Sequence, residues 1–388
     1  MTCAGGYLCP ALPSRSEWRN QDLLPTTMAA VLLTGHGGLE RLEYRIDVRV
    51  PHPKRGEVLI QVAAAGVNNT DVNTRIGWYS KAVTTETGAG GVAGFDAVDT
   101  IDATWSGTAL EFPRIQGADV CGRIVDVGEE VSRDRIGERV VVRSMLRTPV
   151  DYRPFECWTF GSECDGGFAQ FTVAPARDTY AVRSDWSDEE LAAVPCAYST
   201  AENMLLRAAA AAERVLVTGA SGGVGLAAVQ LARRRGATVI AVCSATKAAD
   251  VRAQGADHTV DRGADLISTL GRASVDVVID LVGGPQYSQL LGLLRRGGRY
   301  AISGAIGGPA AEIDLRTLYL NDLSLFGCTF QEDDVFENLI GYIERGEVRP
   351  VVSRTYRLCE IARAQEDFLR KEHVGKLVLI PPSTTTAP

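Results

Sequence analysis

The first half of the chain has its apolar residues in short runs, several of which alternate with polar residues. This spacing is typical of β-strands and predicts strands at residues 29–33, 42–50, 57–65, 120–127, 139–143 and 168–173. The alternation over 42–50 predicts a half-buried strand. Because little helix separates these strands, they indicate an antiparallel, barrel-like domain.

From about residue 185 the pattern changes to apolar strands that alternate with amphipathic helices. It predicts helices at 200–212, 222–235, 246–254, 285–296 and about 335–345, and strands at 215–218, 238–243, 275–280, 299–303, 323–330 and 376–380. Strands that are apolar throughout belong to parallel sheets covered by helices on both faces. The second half is therefore predicted to be a doubly wound α/β domain.

These patterns divide the chain into a flexible N-terminal extension and two domains. The extension covers residues 1–27, which lack the charged and apolar segments of a signal peptide. One domain is predicted over 28–184 and 331–388, and the other over 185–330. We expect a cytoplasmic location.

Composition narrows the possible partners. The 388 residues are 45% hydrophobic and 23% charged, with a formal net charge of −8. An acidic balance disfavours nucleic acids and anionic membranes as partners, and no apolar stretch approaches the length of a membrane span. Nine Cys and four His are scattered without a Cys-x-x-Cys pair, which indicates reduced thiols rather than a metal site.

A glycine-rich turn between a predicted strand and helix is the main binding signal. In Ala220-x-Gly222-x-x-Gly225 the first glycine of the dinucleotide motif is replaced by alanine. Such a turn lets backbone amides at a helix N-terminus approach a pyrophosphate, whereas a plain tight turn is the alternative. The residues predicted to contact the cofactor here are Ala220, Ser221, Gly222, Gly223, Val224 and Gly225.

The end of the next strand indicates which dinucleotide is bound. The acidic residue that would read ribose hydroxyls is missing there, and Ser244 and Lys247 could instead accept a 2′-phosphate. This favours NADP(H) over NAD(H). Alternatively, Ser244 only caps the following helix.

Several motifs together resemble the medium-chain dehydrogenase/reductase superfamily, in particular its zinc-independent, quinone oxidoreductase-like branch. Besides the glycine-rich turn, the resemblance rests on the sequences at 66–68, 117–122, 165–169, 280–284 and 297–299. It implies an α/β fold with a GroES-like antiparallel, barrel-like catalytic domain and a Rossmann nucleotide domain with a doubly wound parallel sheet.

The resemblance also implies the chemistry. Where zinc-dependent relatives hold a catalytic metal, this chain has Asn68, Ala118-Asp119 and Cys196, and one thiolate cannot hold Zn²⁺. The alternative for Cys196 is a small buried residue at the start of a helix. We expect no metal and hydride transfer from NADPH to a quinone or to the activated C=C of an α,β-unsaturated carbonyl. The alternatives are an enoyl-thioester reductase and a non-catalytic NADPH-binding protein.

Candidate catalytic residues follow from the same comparison of motifs. They are Asn68, Asp71, Tyr79 and Tyr198, and the further cofactor contacts are Thr200, Ser303 and Gly304. Asn68 could donate to a substrate carbonyl or cap the next turn, and Asp71 could lie near the ribose or begin a helix. Related quinone reductases usually have Tyr where this chain has Asn73, so Tyr79 is the replacement proton donor or a half-buried aromatic residue.

Two further segments indicate substrate and partner. Residues 80–112 replace a short connection of the family and contain Trp105 and Phe112, which predicts a lid over a bulky, apolar small-molecule substrate. The strand at 323–328 would lie at a sheet edge. The family pairs this edge into a homodimer, whereas a protected edge in a monomer is the alternative.

Overall fold

The computed structural model describes residues 24–96 and 98–383. Most of the extension predicted for residues 1–27 therefore lies outside the described residues. No helix in the described ranges is long and apolar enough to cross a membrane.

Within residues 24–96 and 98–181, the structure contains ten strands and two α-helices. In chain order they are β1 (Thr27–Leu33), β2 (Leu42–Arg49), β3 (Glu57–Gly66), α1 (Asn69–Ile76), α2 (Thr87–Gly90), β4 (Arg114–Ile115), β5 (Cys121–Val127), β6 (Arg139–Val142), β7 (Met145–Leu146), β8 (Trp158–Thr159), β9 (Phe171–Pro175) and β10 (Thr179–Ala181).

The second half alternates helices and strands as predicted. In chain order they are α3 (Asp188–Ala192), α4 (Pro195–Arg207), β11 (Arg214–Val217), α5 (Gly223–Arg234), β12 (Thr238–Cys243), α6 (Ala248–Ala253), β13 (His258–Asp261), α7 (Leu266–Leu270), β14 (Val275–Asp280), α8 (Tyr287–Leu293), β15 (Leu294–Ile302), α9 (Leu315–Leu320), β16 (Ser324–Gly327), α10 (Asp333–Glu344), β17 (Val352–Arg357), α11 (Ile361–Arg370) and β18 (Lys376–Ile380).

The two predicted sheet types are confirmed. Strands β11 to β16 form a six-stranded parallel sheet in the order β13-β12-β11-β14-β15-β16. Its faces bury different clusters, since Val215 and Val217 pack into one apolar core and Leu216 into another. The other large sheet combines strands of the first half with the two C-terminal strands, in the order β10-β6-β5-β3-β18-β17, and β9 also pairs with β3. It is antiparallel except for the β17–β18 pair.

Some predicted elements are wrong in extent or burial. Strand β2 is largely exposed rather than half-buried, with Ile46 71% accessible, because no described element covers the face that carries Ile46. Among the described strands it pairs only with β1. The helix predicted at 200–212 starts earlier, at Pro195, and ends at Arg207. The helix predicted at 285–296 ends at Leu293, where β15 begins.

The C-terminal strand returns to the first domain and lies beside the strand that leads into α1. Val378 pairs with Gly66, and the Val67 N–H donates to the Leu377 carbonyl at 2.9 Å. The preceding residue, Gly375, forms a bridge with Gly222 of the glycine-rich turn, and its N–H donates to the Ser221 carbonyl at 3.0 Å. This return brings residues from both domains to one place.

Candidate active site

A buried cluster of Asn68, Asp119 and Lys376 lies where the two domains meet. The Lys376 ammonium donates to Asn68 Oδ1 at 2.5 Å and to Asp119 Oδ2 at 2.8 Å. The Asn68 amide nitrogen in turn donates to Asp119 Oδ2 at 2.8 Å and more weakly to the Gly66 carbonyl at 3.4 Å. All three residues are at most 6% exposed, so the ion pair is almost fully desolvated.

These contacts change the role expected of Asn68. Its side-chain amide is engaged with its neighbours, which leaves it poorly placed to donate to a substrate carbonyl as predicted. The alternative role at the start of the next turn agrees with the structure, since Asn68 is the N-cap residue of α1 and forms a capping box with Asp71. The Asp71 carboxylate accepts the Asn68 backbone N–H at 2.7 Å.

Asp71 is a buried acid that contacts this cluster through Asn68. Its exposed fraction is 3%, and burial raises the pKa of its carboxyl to about 7, with the negative charge of Asp119 acting in the same direction. The Asn68 N–H and the Lys376 ammonium oppose the shift because they stabilise the carboxylate. The Asp71 carboxyl can therefore exchange a proton near neutral pH.

Cys196 and Thr200 adjoin the cluster from the start of α4. The Cys196 N–H donates to Asp119 Oδ1 at 2.6 Å, which satisfies the second oxygen of that carboxylate. Burial and the charge of Asp119 raise the pKa of the Cys196 thiol to about 12, and the thiol also bonds with Thr200. Cys196 is consequently a neutral thiol at physiological pH, which agrees with the alternative that it is only a small buried residue.

Tyr79 lies near Cys196, among polar side chains that come from α1 and from the 80–112 insertion. Its hydroxyl donates to Thr70 Oγ1 at 3.2 Å, and burial raises the pKa of the phenol. Asn73 and Trp105 also form hydrogen bonds among these side chains. Tyr79 lies close enough to Cys196 for a charge on that sulfur to raise the pKa of the phenol. The structure thus brings Tyr79 close to the residues around Asn68.

The glycine-rich turn has the shape that a pyrophosphate requires. Gly219 has a φ of +57°, and a Cβ on Gly225 would lie 2.2 Å from the Gly219 carbonyl oxygen, so helix and turn approach too closely for a side chain. A Cβ on Gly223 would lie 2.6 Å from Cδ of Lys376. The N-terminus of α5 at Gly222 has no side-chain cap. The N–H groups of Ala220 and Gly222 donate to the Val242 and Gly219 carbonyls, so the amides of the first turn of α5 are the ones that can hold the phosphates of a dinucleotide.

The predicted 2′-phosphate site is only partly as expected. The Lys247 ammonium donates to the carbonyls of Lys371 and, at 3.0 Å, His373. The Ser244 side chain makes no helix cap and lies 3.2 Å from the Thr246 hydroxyl. Asp261, which the sequence prediction did not include, accepts the Ala245 N–H at 2.9 Å. The charged neighbours that act on Lys247 are Arg262 and Glu372, one of each sign.

The loop after β15 follows the carboxyl end of the parallel sheet, as predicted. The Ser303 hydroxyl donates to the Cys328 carbonyl at 2.7 Å, and the Ser303 N–H to the Asp280 carbonyl at 3.2 Å. A Cβ on Gly304 would lie 2.9 Å from the Leu281 carbonyl. Ser303 is held by its two hydrogen bonds, and Gly304 approaches Leu281 too closely for a side chain. Both residues lie at the edge where ligands bind in such sheets.

Two residues differ from the predicted site. Tyr198 is a core residue, since its hydroxyl donates to Gln230 Oε1 at 2.9 Å between α4 and α5, and the structure does not bring it to the cluster. Lys376 is the residue that sequence reasoning missed. A lysine at the start of an otherwise apolar strand was the available signal.

The residues present do not suit a catalytic metal. Within residues 24–96 and 98–383, no group of three His, Cys, Asp or Glu side chains could hold one. The Lys376 ammonium moreover bonds to the oxygens of Asn68 and Asp119, which are the donors a cation would need. A second positive charge there would be repelled.

Comparison with known proteins identifies the family of this chain. The profile of the alcohol dehydrogenase GroES-like domain matches residues 54–184, and that of the zinc-binding dehydrogenases matches residues 223–345. The chain is 32% identical to the quinone oxidoreductase of Lama guanicoe, over 91% of this chain and 97% of that protein. It is 30% identical to the acryloyl-coenzyme A reductase of Metallosphaera sedula, over 91% and 99%.

The fold agrees with the same assignment. The structure superposes with a TM-score of 0.83 on a candidate alcohol dehydrogenase of Sinorhizobium meliloti 1021, at 47% identity, with coverage of 95% of this chain and 100% of that one.

Proposed function

The chain belongs to the quinone oxidoreductase-like branch of the medium-chain dehydrogenase/reductase superfamily, and from this membership we propose a zinc-independent, NADPH-dependent reductase. Its substrate is a quinone or an α,β-unsaturated carbonyl compound. The substrate gains a hydride at an electrophilic carbon and one proton elsewhere, and the cofactor is oxidised.

The observation that carries this proposal is the Lys376–Asn68–Asp119 cluster. At the position where the resemblance to zinc-dependent relatives would place a metal, the Lys376 ammonium donates to Asn68 Oδ1 and Asp119 Oδ2. Without a Lewis acid, a simple alcohol or ketone is a poor substrate, whereas a conjugated system places the new negative charge on an oxygen that hydrogen bonds can stabilise.

The cofactor would be held by the turn from Ala220 to Gly225 and by the loop at Ser303 and Gly304. When bound, it supplies the hydride. The protein supplies the positions and the proton, for which Tyr79 and the nearby Thr70 hydroxyl are the available donors. Burial raises the pKa of Tyr79, so its phenol is neutral, and its hydrogen bond to Thr70 Oγ1 lets the two hydroxyls pass a proton as a pair.

We favour NADP(H) over NAD(H) because the side chains around Lys247, where a 2′-phosphate would lie, include more basic than acidic groups. Lys247 lies near Arg262 and Glu372, and burial together with the charge of Lys247 lowers the pKa of the nearby Lys371 to about 7. Asp261 accepts the N–H of Ala245, two residues before Lys247. A 2′-phosphate would relieve the repulsion among these cations. Asp261 opposes this preference and is the group to remove in a test.

A panel assay tests the proposed activity. NADPH and NADH oxidation is followed with quinones, enones, enoyl thioesters and simple ketones, after treatment with a chelator. We expect turnover of a conjugated substrate that the chelator leaves unchanged. Reduction of simple ketones alone, or loss of activity that zinc restores, would overturn the proposal.

An enoyl-thioester reductase is the second candidate. It is favoured by the 30% identity to the acryloyl-coenzyme A reductase of Metallosphaera sedula over nearly the full length of both chains. Faster turnover of enoyl thioesters than of the matching free enones selects this reading. Tight NADPH binding without any turnover would instead indicate a non-catalytic NADPH-binding protein.

The 80–112 insertion is proposed to cover the substrate and to favour bulky, apolar compounds. The Thr87 N–H donates to the Ile306 carbonyl at 3.3 Å, so the insertion reaches the loop that follows Ser303 and Gly304. The Ser106 N–H donates to Glu163 Oε1 at 3.2 Å on the other side. A cover attached at both sides restricts the size and entry of substrates.

A further inference from the structure

The insertion contributes one side chain directly to the polar group around Tyr79. The indole N–H of Trp105 donates to Thr70 Oγ1 at 2.6 Å, and the Trp105 and Tyr79 rings lie 5.3 Å apart at an angle of 51°. Thr70 is 8% exposed. A residue of the insertion and a residue of α1 are thus joined by a short hydrogen bond at the candidate active site.

The hydrogen bonds of Thr70 determine where its proton can go. A hydroxyl has two acceptor positions and one donor. Tyr79 and Trp105 both donate to Thr70 Oγ1 and occupy the two acceptor positions. Among the described residues, no group accepts the Thr70 proton in return, so this proton remains available to an incoming oxygen.

Trp105 is itself held in place by its neighbours. The Thr104 hydroxyl donates to the Thr108 carbonyl at 2.8 Å, and the Thr108 N–H donates back to Thr104 Oγ1 at 3.1 Å. This closed turn carries Trp105 and is anchored through Ser106 to Glu163. The position of the indole is therefore fixed by the fold of the insertion.

We propose that Trp105 is a positioning residue for the reaction. By donating to Thr70 and packing against Tyr79, it directs the free Thr70 proton toward the oxygen on which negative charge develops, while Tyr79 donates to Thr70 from behind. The insertion is then part of the active site rather than only a cover. This inference rests on the proposed reductase activity and adds a residue that acts through Thr70.

Three variants test the inference in the full-length enzyme with a conjugated substrate. Trp105→Phe keeps the ring and removes the N–H, and we expect kcat to fall about three- to tenfold while KM for the cofactor stays constant. Thr70→Val should lower kcat at least as much. In the Thr70→Val background, Trp105→Phe should change kcat less than about twofold, because Trp105 acts through the missing hydroxyl.

Trp78→Phe is the matched control. Its indole N–H donates to the Thr85 carbonyl at 3.0 Å and not to Thr70, and the phenylalanine ring can keep the edge-on contact with Tyr79, whose ring centroid lies 5.8 Å away. We expect kcat to stay within about twofold of the wild type.

The outcomes separate this inference from the proposed function. An unchanged kcat in Trp105→Phe, or equal multiplicative losses in both backgrounds, overturns the inference while wild-type turnover upholds the reductase. An equal loss in Trp78→Phe shows that only the stability of the insertion matters and also overturns it. No wild-type turnover with any conjugated substrate overturns both.

Discussion

At the scale of single residues, Lys376 has the largest consequence for this site. Its ammonium compensates the buried carboxylate of Asp119, and its stem lies against Gly223 of the cofactor turn. One side chain therefore links the candidate substrate site to the cofactor site. The sequence could not show this pair, because its members are 257 residues apart and only the return of β18 joins them.

Removal of the Lys376 charge should destabilise the protein strongly. We expect Lys376→Met to cost about 3–5 kcal/mol in the free energy of unfolding, since Asp119 would keep an uncompensated buried charge. Urea unfolding measures this loss. The Lys376→Met/Asp119→Asn double variant should regain most of it, and the exposed Lys54→Met is the control. A Lys376→Met variant as stable as the wild type would contradict the desolvated ion pair.

Asp71 gives the stability a predictable dependence on pH. Its pKa is about 7 in the folded protein and 3.8 in an unperturbed carboxyl, so between these values the folded state holds a proton that the unfolded state releases. The free energy of unfolding therefore falls as the pH rises from about 4 to about 7. Asp71→Asn should remove this slope, as thermal unfolding at several pH values would show. Parallel curves for both proteins would be evidence against the raised pKa.

Lys247 and Asp261 should act in opposite directions on cofactor preference. Lys247→Ala is expected to weaken NADPH binding about tenfold or more and NADH binding less than about twofold, because only NADPH has a 2′-phosphate. Asp261→Asn should tighten NADPH binding. Fluorescence titration gives both dissociation constants, and equal losses for the two cofactors in Lys247→Ala would rule out the 2′-phosphate role.

At the scale of elements, Arg75 joins three parts of the first domain. Its guanidinium is fully buried on α1 and donates to the carbonyls of Gly37 and Gly91 and to Gln365 Oε1, all within 2.8 Å. Burial lowers the pKa of Arg75 to about 10. The insertion is thus fastened to α1 and α11 by one side chain.

The loss of Arg75 should release the insertion. Arg75→Met leaves three acceptors without a partner, so we expect a loss of about 2 kcal/mol or more in stability and faster proteolytic cleavage within residues 80–112. Arg41→Met, which removes an exposed cation, is the control. Equal cleavage rates in both variants would mean that other contacts hold the insertion.

The elements that the sequence predicted best are those with a specific geometric requirement. The turn before α5 needs glycines, and the parallel strands need continuous apolar residues, so both were predicted correctly. The exposure of β2 was not, because alternation shows which residues share a face but not whether anything covers that face. The short helix α7 and strand β13 have too few residues to show a period.

At the scale of the whole molecule, the parallel sheet ends in an open edge at β16. Among the strands of the described residues it pairs only with β15, and Leu325 on it is 38% exposed. The adjacent helix α9 has no buried residue and exposes Leu315 and Tyr319, each 63% accessible. An apolar edge of this kind would be covered if two copies paired through β16.

The homodimer can be tested by charge. We expect wild-type protein to have twice the chain mass in light scattering, and Leu325→Lys to shift it to the monomer, because the charge would be buried between paired edges. Ile46→Lys, on the exposed strand β2, should leave the dimer intact. A monomeric wild type would contradict the pairing.

Isotope transfer tests the central claim most directly. The enzyme is given cofactor deuterated at the transferable position and a simple enone, and the product is examined by nuclear magnetic resonance. We predict deuterium on the β-carbon of a saturated ketone, with the α-hydrogen taken from water. Deuterium on the carbinol carbon of an allylic alcohol would show direct carbonyl reduction and contradict the account.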